Sequence, residues 1–260
     1  MRCAAATIPG QRLGPRGGDR AGKACAILLS AILSSWAAAS DAGPWAREAG
    51  DVFLSFTISG EEARAALLAG RVEAEPNLSA FAEIGLGHRL TGGAELSWGD
   101  TSQMTVLFLR RTLTPPDTAW QVALDAGLGM RTVDGPGSDA LVRLGGSVGR
   151  GFGGWEGAIG ALPFGHAGGW ATIEGAAYFD TGGTLAIWQT EATLGLRLAD
   201  RLRTILALKA EEWPGADPIV TVRPSVVLDL REGTSLQAGL HAGIEGSDTV
   251  GLSLSLWQEF

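Results

Sequence analysis

The chain has 260 residues, of which 45% are hydrophobic and 39 are glycine, and its formal net charge is −8. An acidic balance argues against nucleic acid as a partner, because phosphate binding needs a basic face. Beyond residue 40 no segment approaches roughly 18 consecutive apolar residues, which excludes a spanning helix and leaves membrane-spanning strands open.

The first element is an export signal. Arg12, Arg16, Arg20 and Lys23 precede an apolar run from Ala24 to Ala39, and small and turn-forming residues follow from Asp41 to Pro44. A basic region, a short apolar region and a small-residue cleavage site form a secretory signal, here residues 1–40 with cleavage after Ala39, Ser40 or Ala42. Cys25 stands before the bulk of the apolar run rather than after it, which argues against a lipid anchor. Cys3 and Cys25 leave with this segment, so residues 41–260 carry neither a disulfide framework nor a cysteine metal site. That remainder holds 15 Lys+Arg against 27 Asp+Glu. It reads as one domain.

From Gly50 onward the hydrophobic period is two, in segments of about ten residues separated by turn signals. The spacing predicts strands at 51–59, 78–88, 92–99, 103–113, 119–130, 139–149, 169–179, 184–198, 202–213, 218–231, 234–245 and 248–260. The last shows the pattern best: Val250, Leu252, Leu254 and Leu256 alternate with Thr249, Gly251, Ser253 and Ser255. Apolar faces of this length suit the 9–11 residues that cross a bilayer, and the Gly-, Ser- and Thr-rich opposite faces suit a polar lumen. The predicted fold is therefore all-β: a closed antiparallel transmembrane barrel of about twelve strands. The Gly60–Asn77 connection is expected to be the longest outer loop. Arg150–Gly168 is too long for a short turn and could hide a further hairpin, which would make fourteen strands. Trp98, Trp120, Trp170, Trp188, Trp213 and Trp257 fall near predicted strand ends, as interfacial girdles require.

Phe260, closing a strand that carries Leu252, Leu254 and Leu256 at alternate positions, resembles the C-terminal signal read by the barrel assembly machinery, with Gln258 where that signal usually has an aromatic. Outer-membrane lipid and that machinery are the partners this implies. Gly43-Pro44-Trp45 through Gly50, the hairpin-like Leu78–Gly93 (LSAFAEIGLGHRLTGG) and Val106–Arg111 (VLFLRR) resemble motifs of an uncharacterised α-proteobacterial-type outer-membrane barrel family. The resemblance spans about residues 43–260. It implies the fold and the bacterial outer membrane, and no particular chemistry.

Alternation assigns a lumen-facing set: Glu83, Glu95, Asp125, Arg143, Glu174, Glu191, Arg197, Arg203, Lys209, Glu211, Arg223, Asp229, His241 and Glu245. Mixed signs in a narrow barrel must pair or stay wet. Two readings follow: a passive small-solute channel, which leads, and a non-conducting structural or surface-interaction barrel. An outer-membrane enzyme comes third. Its only Ser/His combination, His241 with Ser225 or Ser253, faces the lumen, whereas a lipase has to meet lipid. Glu61-Glu62 and Glu211-Glu212 could offer a loop Ca²⁺ site, but solvated acidic residues are the simpler reading. No catalytic, cofactor-binding or metal-binding residues are assigned, and the oligomeric state stays open.

Overall fold

The computed structural model describes residues 43–260 except 73, 100–101, 134–136 and 160–161. The signal segment and its cleavage site lie outside the described residues. Backbone amides in hydrocarbon have no water to bond, so a sheet that crosses a membrane must close on itself. It does so here. The strands are β1 (Val52–Ala63), β2 (Glu75–Gly87), β3 (Leu90–Trp98), β4 (Ser102–Thr112), β5 (Trp120–Val133) and β6 (Asp139–Ile159). They continue with β7 (Leu162–Asp180), β8 (Leu185–Ala199), β9 (Leu202–Glu212), β10 (Ile219–Arg231), β11 (Thr234–Glu245) and β12 (Thr249–Glu259). Each pairs antiparallel with its neighbours in the chain, and β1 pairs with β12 from Phe53↔Glu259 to Ala63↔Thr249 to complete the ring. Val52 N–H and Phe260 N–H donate to each other's carbonyls at 3.2 and 3.0 Å, extending the closure to the last residue.

The two faces of each strand differ in burial. On β12, Leu252, Leu254 and Leu256 are 64%, 46% and 42% exposed, while Ser255 and Trp257 on the other face are 1% and 2%. The exposed rows continue around the barrel through Phe56, Ile58, Leu107, Leu128 and Leu240 as the apolar exterior that lipid covers. Closed twelve-strand topology and this exterior make the protein an integral outer-membrane barrel.

Arg150–Gly168 contains no separate hairpin. The segment lengthens β6 and β7 into one ribbon paired from Leu141↔Asp180 to Ile159↔Leu162. Its partners stop early, at Trp120↔Arg150 on one side and Gly168↔Arg197 on the other. Beyond the Gly153↔Gly168 pair the ribbon therefore stands free of both neighbours by about 20 Å at the end that holds both termini, at ~3.3 Å per residue. Glycines dilute the alternation there, so a strand continuation left no period-two signature. The strand count is twelve among the described residues, not fourteen. Gly60–Asn77 is likewise shorter as a loop than expected, because β1 runs to Ala63, β2 starts at Glu75 and a short helix, α1 (Arg64–Leu68), lies between.

The β2–β3 turn contracts to His88 and Arg89, both at positive φ of 52° and 61°. Two left-handed residues in succession give the twist a two-residue hairpin needs.

The tryptophans divide. Trp98 and Trp120 are 41% and 54% exposed on the exterior, but Trp213 and Trp257 are buried inside at 6% and 2%, and Trp170 packs against the interior cluster. Position near a strand end is shared by both groups, and only the parity of the residue along its strand separates them.

Candidate functional site

Among the described residues, the interior gathers most of the buried polar groups. It is packed. One apolar cluster joins Phe53, Phe81, Phe108, Ile205, Val227 and Trp257, and another joins Met104, Val106, Leu141, Tyr178, Ile187, Trp213 and Ile219 with neighbouring alanines. Strand β4 shows why these escaped the sequence pattern. Its inward row is Met104, Val106, Phe108 and Arg110, and its outward row also carries Leu107 and Leu109, so alternation vanishes where both faces are apolar.

The charged groups fill the space between these clusters in contiguous pairs. Arg143 on β6 donates from Nε to Asp125 Oδ1 at 2.6 Å and from Nη1 to Glu95 Oε1 at 2.9 Å and the Tyr178 hydroxyl at 3.1 Å. Its guanidinium also lies 5.0 Å from the Phe108 ring centroid, a cation–π contact. Glu191 Oε2 accepts from Arg223 Nη1 at 3.3 Å, and Glu211 Oε2 lies 2.9 Å from Lys209 Nζ. Register sets Glu191 opposite Lys209 and Gln189 opposite Glu211, and Glu191 also reaches one strand further on, to Arg223 of β10. Glu174 faces a cavity of about 50 Å³ that it shares with Glu95, Arg110, Asp125, Arg143 and Glu191. Near the end with the termini, Arg203 Nη2 donates to Asp229 Oδ1 at 2.8 Å, beside Trp257.

Arg197 pairs in register with Arg203 but is exposed, as is Glu245 at the opposite end of the barrel. Both stand at strand termini. The terminal Phe260 is 72% exposed, outward like Leu252, Leu254 and Leu256.

His241 and Ser225 each bind elsewhere. His241 Nε2 lies 2.9 Å from Glu61 Oε1, and the Ser225 hydroxyl accepts from Gln237 Nε2 at 2.8 Å. Glu61 is the surprise of this pair. It belongs to β1, points inward and also accepts from Thr249 Oγ1 at 2.9 Å, so it is no loop carboxylate. Glu212 faces the other way from Glu211 and accepts from Trp188 Nε1 at 2.8 Å. No cluster of three His, Cys, Asp or Glu able to hold a metal occurs among the described residues.

The segment before β1 folds back into the barrel. Gly43 and Pro44 are buried, and their carbonyls accept from Arg110 Nη1 at 3.3 Å and Thr112 Oγ1 at 2.8 Å. Arg47 donates from Nε to Glu83 Oε2 at 2.8 Å, and Arg110 Nη1 holds the other Glu83 oxygen at 2.5 Å. Two glycines make room. A Cβ on Gly85 would lie 1.7 Å from the Glu48 carbonyl oxygen, and one on Gly149 would lie 2.8 Å from the Trp45 ring. Residues 43–50 are thus a strap across the end of the lumen that holds both termini, and Arg47 and Arg110 are interior cations that alternation did not identify. Arg110 had one detectable sign: of the Arg110-Arg111 doublet on a strand, one member must point inward.

No protein-family model matches the chain, and no curated protein does. Solved structures match by fold. The KdgM porin superposes with a TM-score of 0.53 at 6% identity, covering 79% of this chain and 99% of that one. A second structure, KdgM porin in complex with disordered oligogalacturonate, gives the same values. The COG4313 outer membrane channel from Pseudomonas putida F1 matches at a TM-score of 0.43 and 11% identity, covering 83% and 97%.

Proposed function

We propose that this protein is an outer-membrane barrel closed at rest: it spans the membrane, presents its outer connections, and lets no solute through while strap and ion pairs are in place. One observation carries the reading. Inward side chains are shielded even from water along the barrel, with Ser55, Val106, Tyr178 and Val227 all 0% exposed. The lining of an open pore stays wet. Interior cavities of about 50 and 20 Å³ hold a water or two and no hydrated ion file. The reading assigns no enzymatic step to the interior.

Planar-bilayer recording of the refolded protein tests it. The expected trace is silent at moderate voltage, and steady ohmic single-channel steps would sink the proposal. A second reading, a gated small-solute channel, is supported by the fold likeness to the KdgM porin and by the strap at one mouth. Currents that appear only after deletion of residues 43–50 would favour it.

A further inference from the structure

The exterior of β3 is the break in the lipid-facing surface. Its outward residues Gly92 and Ala94 are small, and in register they sit between Ile84 and Leu109 and between Ala82 and Leu107. Tall leucines of β4 beside a floor of Gly92, Ala94 and Ala82 leave an open groove of about 810 Å³, apolar throughout its outer wall. It crosses the strands, from Val52 on β1 to Val142 on β6, and along β3 it spans Gly92 to Ala94, about 7 Å. Toward the end with the termini, Leu90 pairs with Arg111, which lies on the same outward row of β4 as Leu109 and about 7 Å further along.

Arg111 is exposed and makes no ion pair among the described residues. Arg89, in the turn beside it, is half-buried and donates from Nη1 to the Leu113 carbonyl at 3.1 Å, one of the five donors of a guanidinium. An arginine on a lipid-facing row one residue from the end of its strand sits at headgroup depth. Guanidinium groups bind phosphate oxygens bidentately, and an acidic chain has no general excess of cations to account for the pair. Water does not reach a groove in the hydrocarbon zone, so its occupant must be apolar along its length and anionic at this end.

We infer that the β2–β4 face is a binding site for one anionic glycerophospholipid, an acyl chain lying along Gly92 and Ala94 and its phosphate on Arg111 and Arg89. The site lies outside the lumen and is independent of whether the barrel conducts.

The full-length protein, purified in mild detergent after reconstitution in phosphatidylethanolamine vesicles with one-fifth phosphatidylglycerol, would be examined by native mass spectrometry. The expected result is one retained phosphatidylglycerol per barrel. Arg89→Ala with Arg111→Ala should cut retention at least fivefold, and Ala94→Phe, which fills the groove, should do the same. Ala238→Phe, an equivalent outward substitution on β11, should leave it unchanged; boiled and unboiled gel mobility verifies folding of each variant. Equal retention of both lipids, or full retention by Ala94→Phe, would mean an ordinary lipid annulus and overturn the site. A lipid-free dimer dissociated by Ala94→Phe would give the groove to a second copy and overturn it as well.

Discussion

At the scale of single residues, burial decides how much each charge matters. Arg143 is the sharpest case, since two carboxylates, Glu95 and Asp125, depend on it within a packed interior. Arg143→Met leaves both without their principal cation, and we expect a loss of about 3–5 kcal/mol, read from the urea midpoint of unfolding in detergent. The Arg131–Asp139 pair is the comparison. The Asp139 side chain is 63% exposed, so its carboxylate stays hydrated. Asp139→Asn should cost less than about 1 kcal/mol in the same assay. Equal losses in the two variants would mean that water reaches Arg143, and with it that the lumen is wet.

Parity along each strand governs the next scale. Leu254 and Ser253 are adjacent on β12 and face lipid and lumen respectively. Leu254→Arg should lower stability by about 2–4 kcal/mol at mid-membrane depth, whereas Ser253→Ala should be nearly silent; matching effects would place the register one residue out. Not every inward position is tolerant. A Cβ on Gly239 would stand 2.7 Å from Ser253 Oγ, so even a small polar substitution there forces its neighbour to move. The strap makes a second element-level case. Gly85→Val puts side-chain atoms where the Glu48 carbonyl lies, and displacement of residues 43–50 is the cheapest relief. Limited proteolysis should then cut at Arg47, which the wild type protects through Glu83. Continued protection of Arg47 in the variant would show that the strap yields elsewhere.

For the whole molecule the governing fact is closure. Apart from the β6–β7 ribbon, the closed ring has no free edge from which to fray, so the folded form should persist in detergent at room temperature and migrate differently on a gel before and after boiling. Assembly of that closed form ends at the C-terminus, where Phe260 exchanges backbone hydrogen bonds with Val52 and completes the β1–β12 seam. Deleting Phe260 should reduce the heat-modifiable, membrane-inserted fraction several-fold, and Gln258→Ala should reduce it less. Gln258 bonds locally, to the Gly233 carbonyl and the Thr234 hydroxyl of the adjacent strand. Identical inserted levels for both variants would remove any special role for the terminal aromatic.

The barrel is legible in the alternation alone, because its strongest constraint is local. Period-two alternation over bilayer-length segments, as in Leu252, Leu254 and Leu256, fixes which atoms meet lipid without reference to any other strand. It also determined that acids and bases would share the interior. It did not determine that the interior is filled. Whether Glu191 meets water, Lys209 or Arg223 depends on which strands lie across the lumen and on the register of β8, β9 and β10, quantities that no single strand encodes. Phe53 and Phe81 stand singly on the otherwise polar inward rows of β1 and β2, and Phe108 lies on a strand apolar on both faces; that the three meet in one cluster with Trp257 appears only once the barrel closes. The strap is the clearest instance. Nothing in Gly43 to Gly50 marks it as buried, and its place under Arg110 and Thr112 exists only because the closed tertiary fold brings β2, β4 and β6 to one mouth.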